Sequence, residues 1–158
     1  MKAKLLVLSC ALALTACDKL GQQALDSIPN PSPAQEQVAQ QAYQAFTQGD
    51  FPQLYTYFEP ELQREFKTHE KDMRKFAKSI PKQAITTQKI VSKHIEKSTE
   101  KLSLYAVTYE YAYSNKNLVQ YDVGFDKAGG STKIRSFDVK LYGLSLIHIS
   151  EPTRLLSI

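Results

Sequence analysis

Residues 102–113 read LSLYAVTYEYAY, and aromatic or branched side chains alternate with small or polar ones along most of that length. In an extended chain successive side chains point to opposite sides, so Tyr105, Val107, Tyr109, Tyr111 and Tyr113 share one face of a predicted strand. That face is too apolar to stand in water. The segment therefore demands neighbours to pair with and a layer to cover it.

The neighbours follow at once. Residues 117–125 set Val119, Tyr121, Val123 and Phe125 on one side and Gln120, Asp122 and Gly124 on the other, and residues 133–141 add Phe137, Val139 and Leu141 to the apolar side. Upstream, residues 85–95 predict a first, mostly polar strand. The breaks Ser114-Asn115-Lys116 and Lys127-Ala128-Gly129-Gly130 suit antiparallel hairpins, the second through glycines that tolerate positive φ.

Before the strands the period is helical. Ala34, Val38, Ala42, Ala45 and Phe46 recur at helical spacing and Gly49 follows as a stop, so residues 33–48 predict an amphipathic helix. Asp50 is suited to cap a second short helix over 51–58, with Pro52 tolerated in its first turn. Residues 61–79, opened by Pro60 and ended before Pro81, carry Leu62, Phe66, Met73, Phe76 and Ala77 amid many charges. Helices followed by an antiparallel meander is an α+β order, with N-terminal helices packed on one face of the sheet.

Two stretches, AYQAFTQGDFPQLYTYFEPEL at 42–62 and LVQYDVGFDKAGGSTKIRSFDVKLY at 118–142, resemble the opening helices and closing strand pair of the nuclear transport factor 2-like (cystatin-like) superfamily. The resemblance covers most of 34–143 and implies helices held against a curved antiparallel sheet. It also implies a range of roles, from enzymes with an aspartate or histidine inside the cone to ligand binders and exported lipoproteins. No catalytic motif of the superfamily is present to carry over.

The N-terminus addresses location. Lys2 and Lys4 precede an apolar run of about ten residues, the pattern of a secretory signal and about half the length a spanning helix requires. Leu14-Thr15-Ala16-Cys17 then resembles the lipobox of bacterial lipoproteins, which implies removal of residues 1–16 and a diacylglyceryl group on the thiol of Cys17. Several acyl chains, each methylene contributing about 0.8 kcal/mol on burial, would hold the chain at a bilayer facing the periplasm. Asp18 resembles the inner-membrane retention signal of enteric bacteria; without that signal the outer membrane is expected. Residues 17–33 form a polar, proline-containing tether. With Cys10 removed and Cys17 lipidated, no thiol remains for a disulfide, a metal or a nucleophile.

Residues 144–154, LSLIHISEPTR, resemble the translation of a transposase-end sequencing adapter, so 144–158 are expected to be foreign to the natural chain. The other reading is a last amphipathic strand through Leu144, Leu146 and Ile149. Setting aside the signal and this tail leaves 17 basic and 15 acidic residues of the 20 and 16 present. A net charge of +2 argues against a nucleic-acid partner.

Candidate chemistry is sparse. His69 and His94 read as surface histidines, no paired Cys/His spacing points to a metal, and no cofactor motif occurs. Asp122 and Asp138 alternate away from the aromatic face and are expected to meet solvent. The basic residues Arg64, Lys67, Lys71, Arg74, Lys75 and Lys78 interleave with Glu65, Glu70 and Asp72 as a solvated mixed face. Tyr105, Tyr109, Tyr111, Tyr113 and Tyr121 allow two readings, packed core or the wall of a ligand concavity. The expected function is a non-catalytic, lipid-anchored module that binds an envelope protein or a second copy of itself. A small-molecule carrier or sensor and an isomerase-like or dehydratase-like enzyme are the alternatives.

Overall fold

The alternating segments pair in chain order. In a computed structural model, which describes residues 25–97, 99 and 102–143, β1 (Ile85–Glu96), β2 (Leu104–Tyr113), β3 (Leu118–Phe125) and β4 (Ser136–Tyr142) form an antiparallel sheet of order β1-β2-β3-β4. Register places Tyr109 opposite Tyr121 and Tyr121 opposite Val139, with Val107, Val123 and Phe137 in the next inward row. The apolar residues of β2, β3 and β4 therefore face one way. The expected lipobox with Cys17 and the stretch 144–158 lie outside the described residues.

Four helices cover that face: α1 (Pro33–Gln48), α2 (Phe51–Tyr57), α3 (Pro60–Thr68) and α4 (Glu70–Ser79). The architecture is α+β, with N-terminal helices on one side of the sheet. Ser32 caps α1 through a reciprocal box with Gln35, and Gly49 ends it at φ 76°, a left-handed conformation that glycine adopts without a Cβ penalty. Asp50 caps α2 by accepting the Gln53 amide at 3.1 Å.

The buried stripe of α1 is Gln35, Ala39, Ala42, Tyr43, Ala45 and Phe46. It is rotated from the predicted one: Ala34 is exposed and Val38 only half-buried, because the polar Gln35 and Tyr43 find partners inside. Segment 61–79 is also two helices rather than one. The His69 amide closes on Phe66 O at 3.1 Å, and His69 O then starts α4 by accepting the Asp72 and Met73 amides. The polar run between Phe66 and Met73 has no apolar residue to hold a continuous helix down. The break lets Phe66 pack against Phe58 and Phe137 while Phe76 packs against Phe46.

Ile134, read as part of the last strand, lies before it and bridges to Phe58 in the core. Leu102, read as the start of the second strand, lies ahead of β2 and is 68% exposed. Tyr109, Tyr111 and Tyr121 stack with centroids 6.0–6.4 Å apart at the centre.

The hydroxyls of Tyr109 and Tyr121 are buried and have no hydrogen-bond partner. Tyr109→Phe and Tyr121→Phe should leave the melting temperature unchanged or higher, since an unpartnered buried hydroxyl costs about 1–3 kcal/mol. Tyr109→Ala and Tyr121→Ala should each lose about 3–5 kcal/mol by opening a cavity. Thermal melts of the four variants check this, and a phenylalanine variant as damaged as its alanine counterpart contradicts it.

Candidate functional site

A helix laid on a four-stranded sheet cannot cover every strand. The ring of Tyr43 on α1 sits 4.5 Å from Tyr111 on β2 and 5.2 Å from Tyr121 on β3, so the helix lies over the inner strands. On β1, Ile85 opposes Tyr113 and Gln88 opposes Tyr111, yet Ile85 remains 45% exposed and Gln88 is exposed too.

The result is an open groove of about 680 Å³ between α1 and the first half of β1. One wall carries Gln40, Gln44, Thr47 and Gln48 of α1, and the other carries Ile85 and Gln88. Pro81, Lys82 and Gln83 close one end, and Tyr43, Tyr111 and Tyr113 contribute the floor. Tyr43 and Tyr113 hydroxyls meet there at 2.7 Å.

Apart from Lys82, the lining is uncharged. Burial, then the hydrogen bond to Tyr113, pushes the Tyr43 phenol far above its usual range, and burial raises Tyr111 and Tyr113 as well. All three are protonated at neutral pH. Lys82, the one charged lining residue, donates to Thr47 O at 2.7 Å and to Ala77 O at 3.5 Å, near the C-terminal ends of α1 and α4. Its charge answers the helix dipoles there. Such a surface offers hydrogen-bond donors and acceptors along an open groove.

All five tyrosines singled out by sequence are packed in the core, and of them only Tyr111 and Tyr113 also border the groove. Tyr105 donates to Pro29 O at 2.6 Å, and burial pushes its phenol up to about 12. The glutamines were missed. Their repeat at 40, 44 and 48, beside an inward Tyr43, was the available signal.

The opposite face of the sheet is polar. Asp138, expected in solvent, is instead buried: its Oδ2 lies 3.2 Å from Lys140 Nζ, while its Oδ1 is buried and unpartnered. Lys140 is shared with Asp122 at 2.7 Å, and Asp122 also accepts a short hydrogen bond from Thr108. Cross-strand register forces Asp122 against Asp138, which an alternation pattern does not reveal. His94 is exposed and pairs with Glu96 at 3.3 Å, and His69 is exposed at the α3–α4 junction. Among the described residues no group of three His, Cys, Asp or Glu could hold a metal ion.

The basic run on the helices is partly structural. Arg74 donates to Glu70 at 2.7 Å and to Gly49 O at 2.9 Å while its guanidinium lies 4.3 Å from the Phe51 ring centroid. Tyr55 donates to the same carboxylate at 2.6 Å, and that bond first, then Arg74, holds the Glu70 carboxyl below its usual range.

Burial raises the Asp138 carboxyl above its usual range despite Lys140. A raised acid stabilises the fold below its unfolded-state range, and that contribution is lost as pH rises through the folded value. Asp138→Asn should therefore keep or raise the melting temperature at pH 7, and its advantage should shrink as pH falls through the carboxylate range. Melts at several pH values test this; a clear loss at pH 7 would show that the charged form stabilises the domain. Comparison with family models, with curated proteins and with solved structures finds no match for this chain.

Proposed function

We propose that this chain is a bacterial lipoprotein, held at the membrane by lipid on Cys17 and facing the periplasm, whose domain binds an envelope protein and catalyses no reaction. In this reading the groove between α1 and β1 is the working surface. The observation that carries it is the lining, whose amides, hydroxyls and protonated phenols offer hydrogen bonds and, Lys82 aside, no charge. Asp138, the buried carboxylate, is on the other face of the sheet from the tyrosines.

The position of the tether supports the same reading. Lys93 donates to Ile28 O at 2.6 Å and to Asn30 Oδ1 at 2.7 Å, and Tyr105 donates to Pro29 O, so the chain enters at the start of β2. The groove lies at the far end of β2, beside Tyr111 and Tyr113, roughly 25 Å away at strand rise. An anchor attached at one end leaves the groove presented at the other. In this reading Asp18 keeps the protein at the inner membrane where enteric sorting applies, and otherwise it resides at the outer membrane.

A small-molecule carrier is the second reading. The groove volume favours it, falling within the roughly 300–1,000 Å³ usual for ligand sites.

Labelled palmitate should enter the parent protein, and Cys17→Ser should accumulate as an unlabelled, uncleaved precursor. Equal labelling of both overturns the anchor. A photo-crosslinking residue at Gln44 should capture a protein in intact cells, whereas one at Lys140 on the opposite face should not; capture from both positions alike removes the groove from the proposal.

A further inference from the structure

We infer that the groove takes an extended, uncharged stretch of polypeptide, which pairs with the free edge of β1 as a fifth strand and faces the glutamines of α1. This rests on the groove being the working surface proposed above, and it names what occupies it.

The free edge is the first reason. β1 is 12 residues long and among the described residues pairs only with β2, so one row of its backbone amides and carbonyls has no partner in the described sheet. Edge strands are commonly guarded by lysines, yet here Lys89 is drawn to Glu110 at 3.0 Å and Lys93 to Ile28 and Asn30. Bulges at Thr86 and Val91 bracket a regular stretch, 87–90, that contains Gln88. That stretch is where an added strand would pair.

Spacing supplies the second reason. Gln40, Gln44 and Gln48 are four residues apart on α1, a rise of about 6 Å each. An extended chain repeats every two residues, about 6.7 Å, so successive glutamines meet successive peptide groups on one side of such a chain. None of these three amides, nor that of Gln88, forms a hydrogen bond among the described residues. Each offers a donor and an acceptor, as a peptide group does.

Charge complementarity selects the class. Lys82 is already engaged with main-chain carbonyls, and no carboxylate lines the groove, so an uncharged backbone meets no desolvated charge. A sugar would require an open aromatic face, but Tyr43, Tyr111 and Tyr113 are at most 5% exposed. Ile85, at 45% exposed, gives an apolar side chain of the guest a contact.

The test uses the full chain in detergent, a phage-displayed library of random dodecapeptides and chitotetraose as a sugar probe. A selected peptide should bind about tenfold more weakly to Gln44→Ala and Gln88→Ala, with melting temperatures unchanged. N-methylation of the alternate peptide groups that face β1 should abolish binding, while methylation of the intervening groups, which face the glutamines, should weaken it only about tenfold, as the glutamine variants do, because only one edge of an added strand faces β1. Equal binding by the variants, no alternation, or no peptide tighter than about 100 μM overturns the inference. Chitotetraose binding that the same variants abolish, without peptide binding, overturns the peptide class and keeps the groove as the working surface. A dimer in sedimentation that peptide fails to displace assigns the edge to a second copy and overturns it as well.

Discussion

The ring of Tyr43 rests on Tyr111 and Tyr121, and its hydroxyl meets that of Tyr113, so one side chain fixes both the height and the rotation of α1 above the sheet. The rest of the fold is arranged around that seat. A helix about 10 Å across covers about two strands spaced 4.7–4.9 Å apart. With α1 committed to β2 and β3, the first half of β1 is left bare, and the groove exists for that reason. Gln40, Gln44 and Gln48 then hang over open space instead of over protein.

A second constraint acts at the other end of α1. Gln35 is fully buried, yet its amide is saturated: Nε2 donates to Lys127 O at 2.9 Å and Ser131 O at 3.0 Å, and Oε1 accepts from the amides of Gly129 at 2.9 Å and Ser32 at 3.1 Å. One side chain thus caps the helix and clamps the β3–β4 connection, where Gly129 adopts φ 67°. Losing it would strand several buried main-chain groups, each a cost of about 1–3 kcal/mol. The Arg74, Glu70 and Tyr55 cluster does the equivalent for the α1–α2 turn, tying α4 to Gly49 O.

The two faces of the sheet divide the labour. The inner face supplies the aromatic core and ends in a groove whose one charged lining residue is Lys82; the outer face carries the ionic row around Lys140. Groove and ions are separated by the sheet, which is why the buried aspartate has no part in a site built from tyrosines and glutamines. Residues 28 and 29 are held by Lys93 and Tyr105 near the start of β2, away from the end of that strand where the groove lies.

The α+β order, the four strands, the hairpin positions and the bounds of α1 were legible in the sequence, because periods of 2 and 3.6 and turn residues such as Gly49 and Gly129 are local properties. The α3–α4 break was legible only in part, in the polar run after Phe66. Burial of Gln35 and Asp138 was not legible at all, since each depends on partners brought close by chain reversal: residues 127–131 for the glutamine, Asp122 and Lys140 for the aspartate. Alternation told which face each tyrosine takes but not how far a helix extends over that face. Only tertiary packing decided that all five tyrosines are buried and that Tyr111 and Tyr113 also border the groove, because the lateral position of α1 is set by the fit of Tyr43 among rings that lie 68 or more residues away along the chain.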